Sequence, residues 1–335
     1  MKKITIVDIA RLAGVGTTTV SRYFNNGKLK EETKKKIKKV VEKYNYSPNT
    51  FAKALKSNES RIIGVIVPTL SSFVSSRTLM YVDQKLKENN YETLIMNSNF
   101  SSKLQLEYLK KLARMNVDGI ILLPTIMDKN FEATIKSIDI PVVILGQEGE
   151  YTYSVEYNDF HAGRDIANFV MASGHRDIVY LGVDEKDIAV GTYRKMGIVQ
   201  TLGKYGIIPK EIITTFDQNY SYEKVIENIK FFKDSTCLIC ATDNIAYGAI
   251  RALEKNNLIV GENYSVAAFG NYESSVLLKS PLTTIEFNIK EAAEKTVDII
   301  LQTIKGEEAT IKTLIGYELK IRDSVLDIGF KDIED

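Results

Sequence analysis

Few residues in this chain could carry catalysis. It has two cysteines, Cys237 and Cys240, and two histidines, His161 and His175. The C-x-x-C spacing suits a redox or metal pair. However, Thr236-Cys237-Leu238-Ile239-Cys240-Ala241 reads as a buried strand, and two cysteines without a nearby histidine do not complete a zinc site. Neither histidine stands with a Ser or Cys nucleophile, and no glycine-rich phosphate loop follows a strand. No enzyme activity, cofactor or metal is expected. The side chains that can do chemistry lie near the start. Thr17, Thr18, Ser21, Arg22 and Asn25 recur on one face at helical spacing. Thr offers a hydroxyl and a methyl, and Arg binds both guanine acceptors together, so this set suits the major groove of DNA.

Two short helices must present that face. Thr5 can cap the first, whose first turn carries Asp8, as the helix dipole favours. Ile6, Ile9, Ala10 and Ala13 give it an apolar face at i, i+3, i+4 and i+7. Gly14 allows the left-handed turn that ends it. Val15 plugs the turn, Thr17 opens the second helix, and Val20 and Phe24 point inward. This is a helix-turn-helix pattern. A third helix, Glu31 to Tyr44, presents Ile37, Val40, Val41 and Tyr44 on one face and six lysines around it.

Charge agrees with that placement. Residues 1–60 hold 14 Lys and Arg against 5 Asp and Glu, a charge of +9, which leaves −8 on the rest of a chain whose net charge is +1. A basic module on an acidic body fits nucleic-acid binding by the first part only. At 335 residues there is room for two or three domains. No run reaches the ~18 apolar residues of a membrane span. Met1-Lys2-Lys3 leads into no signal-peptide core, so a cytoplasmic protein is expected.

From Arg61 the pattern becomes α/β. Short apolar strands at Ile62–Val67, Glu92–Met96, Gly119–Leu123 and Val142–Leu145 alternate with helices near Thr78–Asn90, Leu104–Met115 and Asn130–Ser137. After Tyr157-Asn158-Asp159 the alternation restarts, with strands at Ile178–Leu181, Cys237–Cys240 and Ser265–Phe269 and helices near Ala162–Ser173, Tyr193–Tyr205, Tyr222–Phe232, Asn244–Asn256 and Val276–Leu278. Leu282–Ile285 returns toward the first half, and a helix near Ile289–Thr303 and one strand near Lys312–Lys320 finish the fold. Such alternation means parallel sheets, whose ligands bind beyond the carboxyl ends of the strands.

The N-terminal segment resembles the lactose-repressor (LacI) family of bacterial transcription regulators, through Asp8-Ile9-Ala10, Ala13-Gly14-Val15 and Thr19-Val20-Ser21-Arg22. Gly16 stands where the family usually has Ser, and Lys30 is a poorer cap than the family's Ser. The resemblance continues in Asn116–Leu122, Ala172–Ile178, Ala241–Ala249 and Ser280–Ile285. It implies a helix-turn-helix domain over residues 1–46 and a hinge helix and linker over 47–60. An effector-binding and dimerisation domain of periplasmic-binding-protein type follows over 61–325. Its N-subdomain covers about 61–157 and 286–316, its C-subdomain about 158–285 and 317–325, and a short tail ends the chain at 326–335.

The implied function is a sequence-specific repressor of a carbohydrate-utilisation operon, a homodimer released from operator DNA by a sugar. Its DNA contacts would be Thr5, Thr17, Thr18, Ser21, Arg22 and Asn25, with Asn49, Ala52 and Leu55 in the hinge. There Leu55 matches the family's minor-groove wedge. Val183–Gly191, Arg194-Lys195 and Gly197 look like the sucrose-operon repressors of low-GC bacteria, and Ile95–Ser101 looks like trehalose-operon repressors. Arg194 matches a family arginine that clamps sugar hydroxyls and is expected at the cleft mouth. Tyr157 matches an aromatic cleft residue, Asp243 lies at a strand end, and Asn271 stands where many members have Asp. Ser71, Ser72, Phe73 and Gln147 complete the effector candidates by position. For Tyr157 and Asp243, core packing and helix capping compete with ligand binding. The segment after Leu326 carries no Leu heptads, so a dimer and not a tetramer is expected. A phosphocarrier protein as corepressor is left open, with no residue in its support.

Overall fold

The computed structural model describes residues 4–24, 27–46 and 59–329. The chain divides into a unit ending at Arg61 and a body beginning at Ile62.

In the first unit, α1 (Ile6–Ala13) begins at a capping box: Thr5 Oγ1 accepts from the Asp8 N–H, and the Asp8 carboxylate accepts from the Thr5 N–H at 3.0 Å. Gly14 takes φ 63°, a left-handed value that a Cβ would strain. The Gly14 and Val15 N–H groups then donate back to the Arg11 and Ala10 carbonyls. α2 (Thr17–Phe24) and α3 (Glu31–Lys43) close on α1 around Ile9, Ala10, Ala13, Val20 and Ile37. α3 starts without a side-chain cap at Lys30. It ends at Lys43, one residue earlier than the sequence suggests, so Tyr44 leaves the inward register and is exposed. Tyr46 takes its place, its ring edge-on to Phe24 with centroids 5.7 Å apart.

The body holds two six-stranded sheets. The first contains β1 (Ile62–Val67), β2 (Glu92–Asn97), β3 (Gly119–Leu122), β4 (Val142–Leu145), β5 (Tyr153–Tyr157) and β11 (Lys312–Ile315), ordered β11-β5-β4-β3-β1-β2. The second contains β6 (Ile178–Gly182), β7 (Lys210–Ile213), β8 (Cys237–Cys240), β9 (Ser265–Phe269), β10 (Thr283–Phe287) and β12 (Tyr317–Lys320), ordered β12-β10-β9-β8-β6-β7. All pairings are parallel except β10 with β12. Central strands such as β3, β4, β8 and β9 are buried along their whole length, as helix-covered parallel strands must be. The chain passes between the sheets at Asn158, Asn288 and Gly316.

Several elements differ from the sequence pattern for physical reasons. The helix expected from Thr78 starts at Phe73, capped by Ser72 inside a Ser-rich run that reads as loop. β5 and the edge strand β7 were not expected; Tyr-Ser-Val-Glu-Tyr and Lys-Glu-Ile-Ile carry too few apolar residues to stand out. The helix expected over Tyr222–Phe232 is two, Gln218–Glu227 and Ile229–Lys233, broken at Asn228. The single strand expected near Lys312–Lys320 is two, split at Gly316, one per sheet. β10 stays in the second sheet, and the return to the first begins after Phe287. No helix among the described residues is long and apolar enough to cross a membrane.

Candidate DNA-binding face and effector cleft

On α2, Thr17, Thr18 and Arg22 are exposed and Ser21 is half-buried, while Val20 is fully buried. One helix turn therefore separates an anchored apolar side from a free polar one. Arg22 makes no ion pair among the described residues. The Thr5 hydroxyl takes part in the Asp8 cap, donating to the Asp8 carboxylate at 2.7 Å. Asn25, Asn49, Ala52 and Leu55 lie outside the described residues.

In the body, the loops after β4, β5, β6, β8 and β9 converge between the sheets. Helix α7 (Asp159–Ala172) follows β5, and a π-helical turn, Ile188–Arg194, leads into helix α8 (Lys195–Gly203). The two helices pack backbone against backbone. A Cβ on Gly163 would come 2.2 Å from the Arg194 carbonyl oxygen, and one on Gly197 2.0 Å from that of Phe160. Only glycine permits this approach, and it brings Arg194 to the first residue of α7.

Arg194 is not at the cleft mouth. It is 6% exposed, and its Nε and Nη2 donate to Asp159 Oδ1 at 2.8 and 2.5 Å while Nη1 donates to the Ala241 carbonyl at 2.5 Å. Phe269 and Phe287 flank the guanidinium at 4.6 and 5.1 Å from their ring centroids. A buried guanidinium keeps its charge and needs a counter-charge; Asp159, 3% exposed, supplies it. Burial pushes the Asp159 carboxyl up to about 6, with the pull of Arg194 acting against it. Asp187 caps the π-helical turn, accepting from the Val190 N–H at 2.9 Å, and burial raises its carboxyl too.

Asp243 begins the helix Asp243–Lys255 and is fully buried. Oδ2 accepts from the Tyr272 N–H at 2.9 Å and the Ser275 hydroxyl at 2.5 Å, and Oδ1 from the Thr284 hydroxyl at 2.6 Å. Burial raises its carboxyl despite these bonds. It ties the loop after β9 to β10. Asn271 lies in that loop at φ 48°, its Oδ1 held by Arg322. Across the cleft rim, Phe73 stacks on Tyr272 with centroids 4.5 Å apart, and Arg77 pairs with Glu273. Ser71 bonds Thr69 and Ser72 caps its helix, so both serve their own loop.

Gln147 and Tyr157 do meet. With Glu148, Glu156, Asp159 and Tyr193 they line a cavity of ≈ 10 Å³ between the sheets. Gln147 is 6% exposed; its Nε2 donates to the Pro124 and Thr125 carbonyls, and its Oε1 is buried without a partner. Burial raises the Tyr157 hydroxyl beyond its usual range. A larger concavity of ≈ 660 Å³ lies along helix α12 (Ile289–Ile304) and edge strand β11, away from these residues.

Residues 60–323 match the model described as periplasmic binding proteins and sugar binding domain of LacI family, and residues 5–49 match that of bacterial regulatory proteins, lacI family. The chain belongs to the LacI family. It is a DNA-binding transcription regulator of that family, and its curated relatives are regulators, not enzymes. The sucrose operon repressor of Staphylococcus xylosus is 31% identical over 93% of this chain and 98% of its own length. The regulator TreR of Salmonella typhimurium is 28% identical, over 91% and 95%. Among solved structures, a lac repressor dimer bound to operator and an anti-inducer superposes with TM-score 0.87 at 23% identity, covering 97% of this chain and 100% of that one. The trehalose repressor from Escherichia coli superposes with TM-score 0.70 at 24% identity, covering 77% and 99%.

Within this LacI-family body, the expected effector residues separate into groups. Gln147 and Tyr157 line the cavity, and Arg194 reaches it through Asp159. Phe73 closes the rim. Asp243 and Asn271 brace the second sheet from within. Asp159, Glu148, Glu156 and Tyr193 were missed as site residues. The pair Asn158-Asp159 was visible as a family segment, but nothing local in the sequence marks Asp159 as the partner of a residue 35 positions on. The cysteines lie in β8, both fully buried, where burial raises their thiols. His175 bonds Thr236 and the Leu326 carbonyl at a helix-to-strand turn.

Proposed function

We propose that this regulator is a cytoplasmic repressor of a carbohydrate-utilisation operon, released from its operator by a sugar. Two copies hold a pseudopalindromic operator, each placing Thr17, Thr18, Ser21, Arg22 and Asn25 in a major groove. Thr5 supports that helix pair, and Asn49, Ala52 and Leu55 act in the hinge. The sugar is sucrose or a related disaccharide, free or as its phosphate, on the strength of the likeness to a sucrose operon repressor. Ser71, Ser72, Phe73, Gln147, Tyr157, Arg194, Asp243 and Asn271 form its surroundings, some by contact and some by holding the loops that make contact. A trehalose-type effector is the second reading, favoured by the likeness to TreR.

The observation that carries this reading is the cavity where the loops of both sheets meet. At ≈ 10 Å³ it is large enough for about one water, whereas pockets for small ligands span about 300–1,000 Å³. A disaccharide therefore binds a wider arrangement of the two lobes. A ligand that prefers one arrangement shifts the equilibrium toward it, which is what coupling to DNA requires.

Mobility-shift titration of operator with the full chain tests this, with sucrose, trehalose and their 6-phosphates added in turn. One of them is expected to release the DNA. Retention of the complex at saturating levels of all four would remove the assignment. Sedimentation at micromolar concentration is expected to give a dimer, and a stable tetramer would contradict it.

A further inference from the structure

The charged groups that line the cleft are all acids, beside the Tyr157 and Tyr193 hydroxyls and the Gln147 amide. Glu148, Glu156 and Asp159 line it, no Lys or Arg is among its lining residues, and the buried Oε1 of Gln147 has no donor. Two of the three carboxylates are matched from behind: Glu148 by Lys312, and Asp159 by Arg194. Among the described residues Glu156 accepts only from the Ser154 hydroxyl, at 2.7 Å, and has no cation partner. Asp187, half-buried, adds a further acid close to Arg194.

The positive charge nearest the cleft is thus already neutralised. Arg194 directs three of its N–H groups at Asp159 and the Ala241 carbonyl and is covered by Phe269 and Phe287. A phosphate monoester brings about −1.5 to −2 charges, and burying them without a free cation is costly. A neutral sugar brings hydroxyl donors, which suit the unpartnered Gln147 amide oxygen and the Glu156 carboxylate with its single hydroxyl donor.

We propose that the cleft selects an unphosphorylated sugar over its phosphate ester, and that Asp159 sets this selectivity by occupying the guanidinium of Arg194. The inference rests on the sugar-released reading above and narrows its effector class.

Calorimetric titration of the full chain with sucrose, sucrose 6-phosphate, trehalose and trehalose 6-phosphate tests it. The neutral member of the pair that binds should bind at least tenfold more tightly than its phosphate. Asp159→Asn should narrow that gap by freeing Arg194. Glu156→Gln, at a half-buried position with no ion pair to lose, should narrow it less and serves as the second variant if Asp159→Asn does not fold. A phosphate ester that binds more tightly than its parent sugar overturns the inference and leaves the sugar-released repressor standing. A gap that neither variant changes overturns the role given to the acids. If none of the four binds, the sugar-released reading falls and this inference with it.

Discussion

Arg22 and Arg194 are the same side chain in opposite surroundings. Arg22 stands exposed on α2 with no ion pair among the described residues, its donors free for an outside partner. Arg194 is buried, with a carboxylate, a carbonyl and two aromatic faces around it. A surface that reads DNA is built by leaving donors unsatisfied where water can hold them. A cleft that closes cannot leave a guanidinium unpaired, because a buried charge without a partner is costly. Arg22 can therefore act by direct contact. Under the function proposed above, a ligand that engages Arg194 must exchange with or work around Asp159.

The largest expected effect follows from that burial. Arg194→Met strands Asp159 in an apolar site and should destabilise the body by about 3–5 kcal/mol, read as a lower urea midpoint. Arg194→Lys keeps the charge but cannot reach Asp159 and Ala241 with the same planar fork. It should weaken the sugar response about tenfold to a hundredfold, or roughly 1–3 kcal/mol, and leave operator binding without sugar intact. If Arg194→Met unfolds like wild type, the pair contributes nothing and the contrast with Arg22 collapses.

The pH dependence is next in size. Burial raises the folded Asp159 carboxyl to about 6, above the ordinary aspartate value of about 3.9. Such a group contributes stability at pH below about 4 and loses it as pH rises through about 6. Asp159→Asn has no such titration. The stability of wild type relative to Asp159→Asn should therefore fall by roughly 2–3 kcal/mol between pH 4 and pH 7. Urea titrations at several pH values would measure this. A difference that grows with pH would mean that the attraction of Arg194 outweighs burial.

The same contrast explains what could be read from the sequence. The α2 face is local: Thr17, Thr18, Ser21 and Arg22 fall on one side of one helix, and Val20 on the other, by spacing alone. Strands such as Cys237–Cys240 are unbroken apolar runs and were equally plain. The cleft is assembled from loops far apart in the chain. Arg194 could be picked out, but its setting depends on Gly163 and Gly197, which let two helices touch, and on Asp159 across that contact. Asp243 was legible as a strand-end acid. That Tyr272, Ser275 and Thr284 engage both its oxygens depends on the packing of a loop and of strand β10, 29 to 41 residues away.

Arg22→Ala tests the exposed half of the comparison. It should weaken operator binding by about 1–3 kcal/mol at physiological salt, with sugar binding unchanged. Its effect on stability should stay within about 0.5 kcal/mol, as for surface positions without special contacts. Operator affinity near that of wild type would remove Arg22 from the reading face.

The smallest effect concerns Thr5, which the resemblance places at the DNA and the structure commits to a cap. Its hydroxyl accepts from the Asp8 N–H and donates to the Asp8 carboxylate, which also accepts from the Thr5 N–H and from Arg11 at 3.0 Å. Among the described residues five form the buried core of this unit, so one cap is a sizeable fraction of its stability. Thr5→Ala should cost about 1 kcal/mol in the stability of the N-terminal unit, and Thr5→Ser, which keeps the oxygen, much less. If capping is the whole role, operator affinity should follow stability: lost in part with Ala, kept with Ser, and restored for Ala on cooling to a temperature where the unit is fully folded. If Thr5→Ala still binds operator weakly when its N-terminal unit is fully folded, the hydroxyl also touches DNA. Thr5 would then join Arg22 on the exposed side of the comparison.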